Sequence, residues 1–290
     1  METNTTLPLT THIGAVHLTV SQLDRALDFY TYQLGFHLLS RVGPQASLSA
    51  DGQTTLLVLQ ERPGARPKPT HSTGLYHFAI LTPSRLHLAR SLRHLLELRY
   101  PLQGASDHLV SEAVYLADPD GNGIEIYADR PRSAWPQVGG EVRMTTDPLD
   151  FDGLMAELRA DGGPWQGLPA GATIGHVHLQ VRDIAEAHAF YCGVLGFDLR
   201  QRFGASALFV SAGGYHHHVG LNTWASAGAP PPPSTAAGLV RYEIVLPDAN
   251  AMHEVQQRLE SIQVAYAGTD GSLDLTDPSG NGIRLRVDEG

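Results

Sequence analysis

Two stretches of this chain are copies of each other. IGAVHLTVSQLDRALDFYTYQLGFHLLSR, from Ile13 to Arg41, returns as IGHVHLQVRDIAEAHAFYCGVLGFDLRQR, from Ile174 to Arg202. The shared frame is I-G-x-V-H-L-x-V, then F-Y, then L-G-F. Each copy opens with the alternation of a half-buried strand. An amphipathic helix follows, with Leu23, Ala26, Leu27, Tyr30 and Leu34 on one face. Asp183 with Glu186 three residues on resembles a capping box. A second pair rhymes in the same way: Gly74–Leu98 with Gly238–Ile262, each a strand, a Pro-containing turn and a helix. Each of these ends in one hairpin, DPDGNGIEIY from Asp118 and DPSGNGIRL from Asp277. Glycine and asparagine suit its tight turn because they tolerate positive φ. The chain therefore divides into four βαβββ-like modules, roughly 12–60, 74–130, 173–224 and 238–288.

The modules group along the chain as two domains, 12–130 and 173–288. The linker between them, 131–172, carries DPLDFDGLMAEL, which reads as a short helix. Shorter Pro/Gly-rich linkers, 61–73 and 225–237, separate the modules within each half. Apolar residues make up 42% and charged ones 17%, a balance that supplies a core and excludes a coiled coil or a disordered chain. A net charge of −10 argues against binding to nucleic acid or to an anionic membrane. The N-terminus has no basic region followed by an apolar run, and no stretch approaches a membrane span, so a cytoplasmic protein is expected. The single cysteine, Cys192, excludes an intramolecular disulfide framework and aligns with Thr31 on a helix, where it reads as inert.

Four such modules in tandem resemble the vicinal oxygen chelate superfamily, which includes extradiol ring-cleaving dioxygenases, glyoxalase I and fosfomycin-resistance proteins. The resemblance covers nearly the whole chain. It implies an α+β fold in which pairs of modules join their mixed sheets into two cups, with helices outside and metal inside.

Register then locates the metal. The third residue of each module's first strand is Ala15, His77, His176 and Arg241. Along HVHLQV, alternation puts His176, His178 and Gln180 on the cup face and Val177, Leu179 and Val181 against the helix. In GIEIYAD, Glu125 points into the cup, and Arg284 takes that place in the fourth module. Modules 1 and 4 thus offer Ala15, Arg241 and Arg284, which is no metal site. Modules 2 and 3 offer His77, Glu125 and His176, the two-imidazole, one-carboxylate set of non-haem Fe(II) oxygenases. The ligands come together only if module 2 pairs with module 3 and module 1 with module 4. In GYHHHVGLNTW the same alternation sends His216, His218, Asn222 and Trp224 to the cup and His217 to the helix side or rim. His17 finds no ligand partners in its cup and reads as structural.

The hairpin itself resembles the extradiol dioxygenase signature: His108, Val114, Tyr115, Asp118, Pro119, Gly121 and Glu125 match in order. It departs at Ser106, and it lies in the second module where the family places it in the last. The resemblance implies a small aromatic diol, catechol or hydroquinone-like, that chelates Fe(II), or alternatively Mn(II), and is cut by O2 beside its hydroxyls. His216 or His218 is the expected acid–base group. His108 and Tyr115 would hold the substrate oxygens, and His178, Asn222 and Trp224 would shape the pocket, with the Pro-rich segment beyond as a lid. Two other readings of the fold stand beside this one: a glyoxalase-like metal-dependent lyase or isomerase, which usually needs a second carboxylate, and a small-molecule binding protein. A homo-oligomer is an open alternative to a monomer.

Overall fold

The computed structural model describes residues 6–139, 141–160, 163–269 and 271–288. Module 1 contributes β1 (His12–Val20), α1 (Leu23–Asp28, continued by a π-helical turn over Phe29–Gln33), β2 (His37–Val42), β3 (Gln45–Ser49) and β4 (Thr55–Glu61). Module 2 contributes β5 (Gly74–Leu81), α2 (Arg85–Glu97), β6 (Gly104–Asp107), β7 (Ser111–Ala117) and β8 (Gly123–Asp129). The long linker forms a small hairpin, β9 (Gln137–Val138) with β10 (Glu141–Val142), and the expected helix α3 (Phe151–Ala160). Module 3 follows with β11 (Thr173–Gln180), α4 (Ile184–His188, continued by a π-helical turn over Ala189–Leu195), β12 (Asp198–Phe203), β13 (Ala207–Ser211) and β14 (Val219–Asn222). Module 4 has β15 (Gly238–Leu246), α5 (Ala249–Ser261), β16 (Tyr266–Thr269), β17 (Ser272–Thr276) and β18 (Gly282–Val287).

Among the described residues, sixteen of the eighteen strands form two curled eight-stranded sheets. One runs β16-β17-β18-β15-β1-β4-β3-β2 and the other β12-β13-β14-β11-β5-β8-β7-β6. Module 1 therefore pairs with module 4, and module 2 with module 3, as the ligand argument required. Each cup is mixed: a central antiparallel seam, β1 on β15 or β5 on β11, is flanked on both sides by parallel neighbours.

Alternation divides each strand between helix and cup. On β11, Val177 and Leu179, with Val181 just beyond its end, are buried in the hydrophobic core. The helices present matching stripes: Leu88, Ala89, Leu92 and Leu95 on α2, and Ala251, Met252, Val255 and Leu259 on α5. Each fully buried leucine stabilises the fold by roughly 1.5–3 kcal/mol. Asp183 caps α4 by accepting from the Glu186 backbone N–H at 2.8 Å. The reciprocal half of a capping box is not formed, because the Glu186 carboxylate pairs with Arg182 instead.

The repeated F-Y and DP-x-GNG motifs meet each other between the sheets. Asp118 accepts from the backbone N–H groups of Asp120 and Asn122, which closes the turn around Gly121 at φ +87. Tyr30, from the other cup, donates to its second oxygen at 3.0 Å. Tyr191 does the same to Asp277 at 3.1 Å. Burial pushes both carboxyls above their ordinary value, and the surrounding donors oppose that shift. The turn is thus structural in both copies, and it ties one cup to the other.

The first cup holds ion pairs. Arg284 binds Asp274 at 2.5 Å, while Glu243 receives His17 at 3.1 Å and Arg286 at 2.9 Å. No helix among the described residues is long and apolar enough to cross a membrane.

Candidate active site

Three side chains converge in the second cup, all from strand positions that alternation turned inward. His77 lies on β5, Glu125 on β8 and His176 on β11. Glu125 Oε2 stands 3.0 Å from His77 Nε2 and 3.3 Å from His176 Nε2. One ligand atom from each falls within 4.8 Å of the others, and all three residues are buried. Among the described residues this is the one such group of three. The His77 Nε2, although close to the carboxylate, makes no aligned hydrogen bond and is enclosed by protein. A buried imidazole nitrogen without a hydrogen-bond partner is costly in a purely structural cluster. It fits a metal ligand, as does the mixed nitrogen and oxygen donor set.

Electrostatics keep these groups in the forms a metal needs. Burial alone would raise the Glu125 carboxyl, but His176 and His77 beside it hold it well below the usual carboxylate range. Burial pushes His176 down to about 4, against the opposing pull of Glu125. A neutral imidazole and an ionised carboxylate are the metal-binding states.

Beside the cluster is a cavity of about 420 Å³. His77 and Glu125 form part of its wall, and His108 and Tyr115 stand at one side. His108 Nδ1 donates to the Thr145 carbonyl at 2.5 Å, so its Nε2 accepts from the Tyr115 hydroxyl at 2.6 Å. Burial, then the nearby Glu125, push the Tyr115 hydroxyl well above its ordinary value, so it remains a donor. His178, expected at the substrate, lines the cavity beside His77, its cross-strand neighbour, ring centroids 5.0 Å apart. Its ring fits because residue 220 is glycine: a Cβ there would lie 2.9 Å from it. Trp224 lines the cavity too, and with Tyr76 and Phe203 it makes an exposed aromatic mouth.

Three expected placements are corrected. His216 and His218 do not line the cavity, whereas His217 does. The alternation assumed a strand through 215–218, but β14 begins only at Val219. Gly213 and Gly214, both at positive φ, turn the chain just before it. His217 consequently swings onto His176, ring centroids 4.1 Å apart. His216 points behind the cluster to Asp129, and His218 packs between Tyr215 and Phe197. Burial, then His176, depress His217 well below the ordinary imidazole value, and burial takes His218 to about 3. Asn222 is fully buried behind the wall and touches no cavity space; its amide donates to His178 Nε2 at 3.0 Å. The Pro-rich segment 225–237 does not line the cavity. It packs on the 61–73 linker, where Thr73 N–H donates to the Pro230 carbonyl.

Residues unforeseen in the sequence complete the walls. Met144, Thr145 and Thr146 come from the long linker, and Phe209 from β13. The HHH run signalled His217, but only the turn geometry selects it. Cys192 sits half-buried on its helical turn, its thiol pushed up to about 11 by burial, as expected of an inert thiol.

With this geometry the chain can be set beside known proteins. It is 49% identical over 271 residues to the catechol-2,3-dioxygenase of Bacillus subtilis (strain 168), covering 92% of this chain and 94% of that one. A solved putative dioxygenase from Bacillus subtilis superposes with a TM-score of 0.63 at 14% identity, over 96% of this chain and 86% of that one. Glyoxalase I from Zea mays superposes at 0.58 with 16% identity, over 96% and 92%. At those identities the two structures speak for the fold alone. The family profile matches residues 12–126 and 173–285, the two runs of consecutive modules on either side of the long linker. Repeat, cup topology and sequence match agree, and the chain belongs to the Glyoxalase/Bleomycin resistance protein/Dioxygenase superfamily.

Proposed function

We propose that this protein is an extradiol-type ring-cleaving dioxygenase that uses O2 to open an aromatic ring bearing vicinal hydroxyls. The observation that carries the reading is the buried His77–Glu125–His176 set, open on a cavity that also holds Tyr115, His108 and His217. The high identity to a protein named catechol-2,3-dioxygenase supports it. His77, Glu125 and His176 would hold Fe(II), or Mn(II) as the alternative. When bound, that ion supplies Lewis acidity and a template for the diol and O2.

The chain's own groups supply the rest. His217, kept neutral by burial and by its histidine neighbours, takes a proton from the substrate hydroxyl and later returns it. The Tyr115 hydroxyl, whose one proton goes to His108 Nε2 in the substrate-free site, would turn that proton to a substrate oxygen where negative charge develops. His178 fixes the diol edge from beside His77, and its Nδ1 carries the proton because Nε2 accepts from Asn222. The aromatic mouth holds the substituent end of the ring. A glyoxalase-like reading lacks a second carboxylate, since Glu125 is the one acidic residue on the cavity wall.

The test is oxygen consumption. Protein loaded anaerobically with Fe(II) and given a panel of catechols should consume O2 and form yellow ring-opened products. No uptake across the panel, together with turnover of a glutathione hemithioacetal under Ni(II) or Zn(II), would replace this reading with the glyoxalase-like one.

A further inference from the structure

His217, His216 and Asp129 form a hydrogen-bonded series that leads from the cavity wall to the protein surface. His217 Nδ1 lies 2.8 Å from His216 Nδ1, and His216 Nε2 lies 2.9 Å from Asp129 Oδ1. The Tyr215 hydroxyl donates to the other carboxylate oxygen at 2.9 Å, and Tyr127 lies 2.7 Å behind Tyr215. The His216 side chain has no exposed surface, whereas that of Asp129 is 23% exposed. They come from two separate places in the chain, Asp129 from the end of β8 and the two histidines from the turn before β14.

The protons can be placed from the outer end inwards. An ionised carboxylate only accepts. Oδ2 of Asp129 takes the Tyr215 hydroxyl, so Oδ1 takes the Nε2–H of His216. Taking His216 as a neutral imidazole, the proton on Nε2 leaves its Nδ1 bare; an imidazolium there would instead donate to His217 and give it the Nε2–H form. Two bare nitrogens at 2.8 Å would repel and leave two buried acceptors unpaired, which is costly. The Nδ1 of His217 therefore carries a proton and donates it to His216. Its Nε2 is left bare on a ring that lines the cavity and lies against His176.

We infer that Asp129, acting through His216, holds His217 in the tautomer whose bare Nε2 is ready to accept a proton in the cavity. Asp129 and His216 are positioning residues in this scheme, and neither touches the cavity space. The inference rests on the role given to His217 under the proposed function. It also explains why two adjacent histidines point in different directions: one meets the substrate, and the other reads the carboxylate.

The test uses metal-free, full-length protein labelled with 15N-histidine. Long-range 1H–15N spectra distinguish the two tautomers, and His217→Gln and His216→Gln identify the signals. The expected pattern is Nδ1–H for His217 and Nε2–H for His216. Asp129→Asn offers His216 an amide that can donate as well as accept, so the pattern should be lost or mixed. The kcat of the iron-loaded variant should fall on the order of a hundredfold, with KM and metal content unchanged. Tyr215→Phe keeps the carboxylate and should keep the tautomers. Finding His217 as the Nε2–H form in the unmodified protein overturns the inference, and that spectrum needs no variant to fold. An unchanged pattern in Asp129→Asn removes Asp129 from the scheme. Because the spectra are read without metal or substrate, they decide this point even if no diol is turned over.

Discussion

Glu125 and Arg284 occupy the same place in two copies of one hairpin, each on the last strand of its module. Across the neighbouring strand Glu125 faces Tyr115, and Arg284 faces Asp274. One hairpin looks into a histidine-lined cup and the other closes a salt bridge on itself. The contrast predicts opposite outcomes for neutralising the two residues. Glu125→Gln should abolish metal retention, read as metal content after anaerobic purification, and with it all turnover. Arg284→Gln should leave metal content and turnover unchanged. Full metal occupancy in the Glu125 variant would refute the ligand set.

His217 and His218 are adjacent, yet the first lines the cavity and the second does not. His217→Gln should lower kcat about 10²- to 10⁴-fold, the usual contribution of a positioned acid–base group. His218→Gln should act mainly on stability, because His218 is held against Tyr215 and accepts the Ala212 N–H. Steady-state kinetics beside thermal melts separate the two. Equal kinetic losses would return His218 to the site.

The inter-sheet tyrosines should differ in cost. In Tyr30→Phe, the Asp118 oxygen keeps the Asn122 amide, so the loss should be about 1 kcal/mol. In Tyr191→Phe, the buried Tyr242 hydroxyl also loses its acceptor, so the loss should reach about 2–3 kcal/mol. Urea denaturation of the metal-free variants measures both.

Acid should destabilise the metal-free protein early. His176 at about 4 and His218 at about 3 lie below the ordinary 6.5, so the unfolded chain binds more protons than the folded one. Their stabilisation is fully present above 6.5 and is lost as pH falls from there through about 4 and 3. By pH 5 the summed effect is on the order of a few kcal/mol. Denaturant midpoints at pH 7.5, 6 and 5 should fall steadily, and a flat profile would contradict the burial of neutral histidines.

The aromatic mouth should sort substrates. Trp224 is half-exposed beside Tyr76, ring centroids 5.4 Å apart. Trp224→Ala should raise KM about tenfold for catechols with a bulky apolar substituent and little for catechol itself. An equal rise for both would place Trp224 at the diol rather than at the substituent.

The modules, their pairing and the convergence of His77, Glu125 and His176 were legible in the sequence because each rests on a strong local signal. Period-two alternation orients a strand residue, and the DP-x-GNG turn fixes where β8 and β18 begin. His217 escaped the same logic because the Gly213–Gly214 turn interrupts the strand that alternation presupposes. Thr145 and Met144 escaped for a different reason: the long linker has no second copy against which to set its register. The tyrosines of the two F-Y motifs were visible as repeats, but their partners lie in the other cup and only tertiary structure supplies them.

The pairing of modules is nested, with β5 and β11 inside and β1 and β15 outside. Every strand of the histidine-bearing sheet lies between Gly74 and Asn222. During synthesis that sheet can close while module 4 is still on the ribosome. The strand β1, made first, must wait for β15, made nearly last, and the longer loop carries the larger closure entropy. The His77–Glu125–His176 side of the molecule is therefore set to assemble early, and an open sheet edge on module 1 is the segment a chaperone would need to shield in the interval.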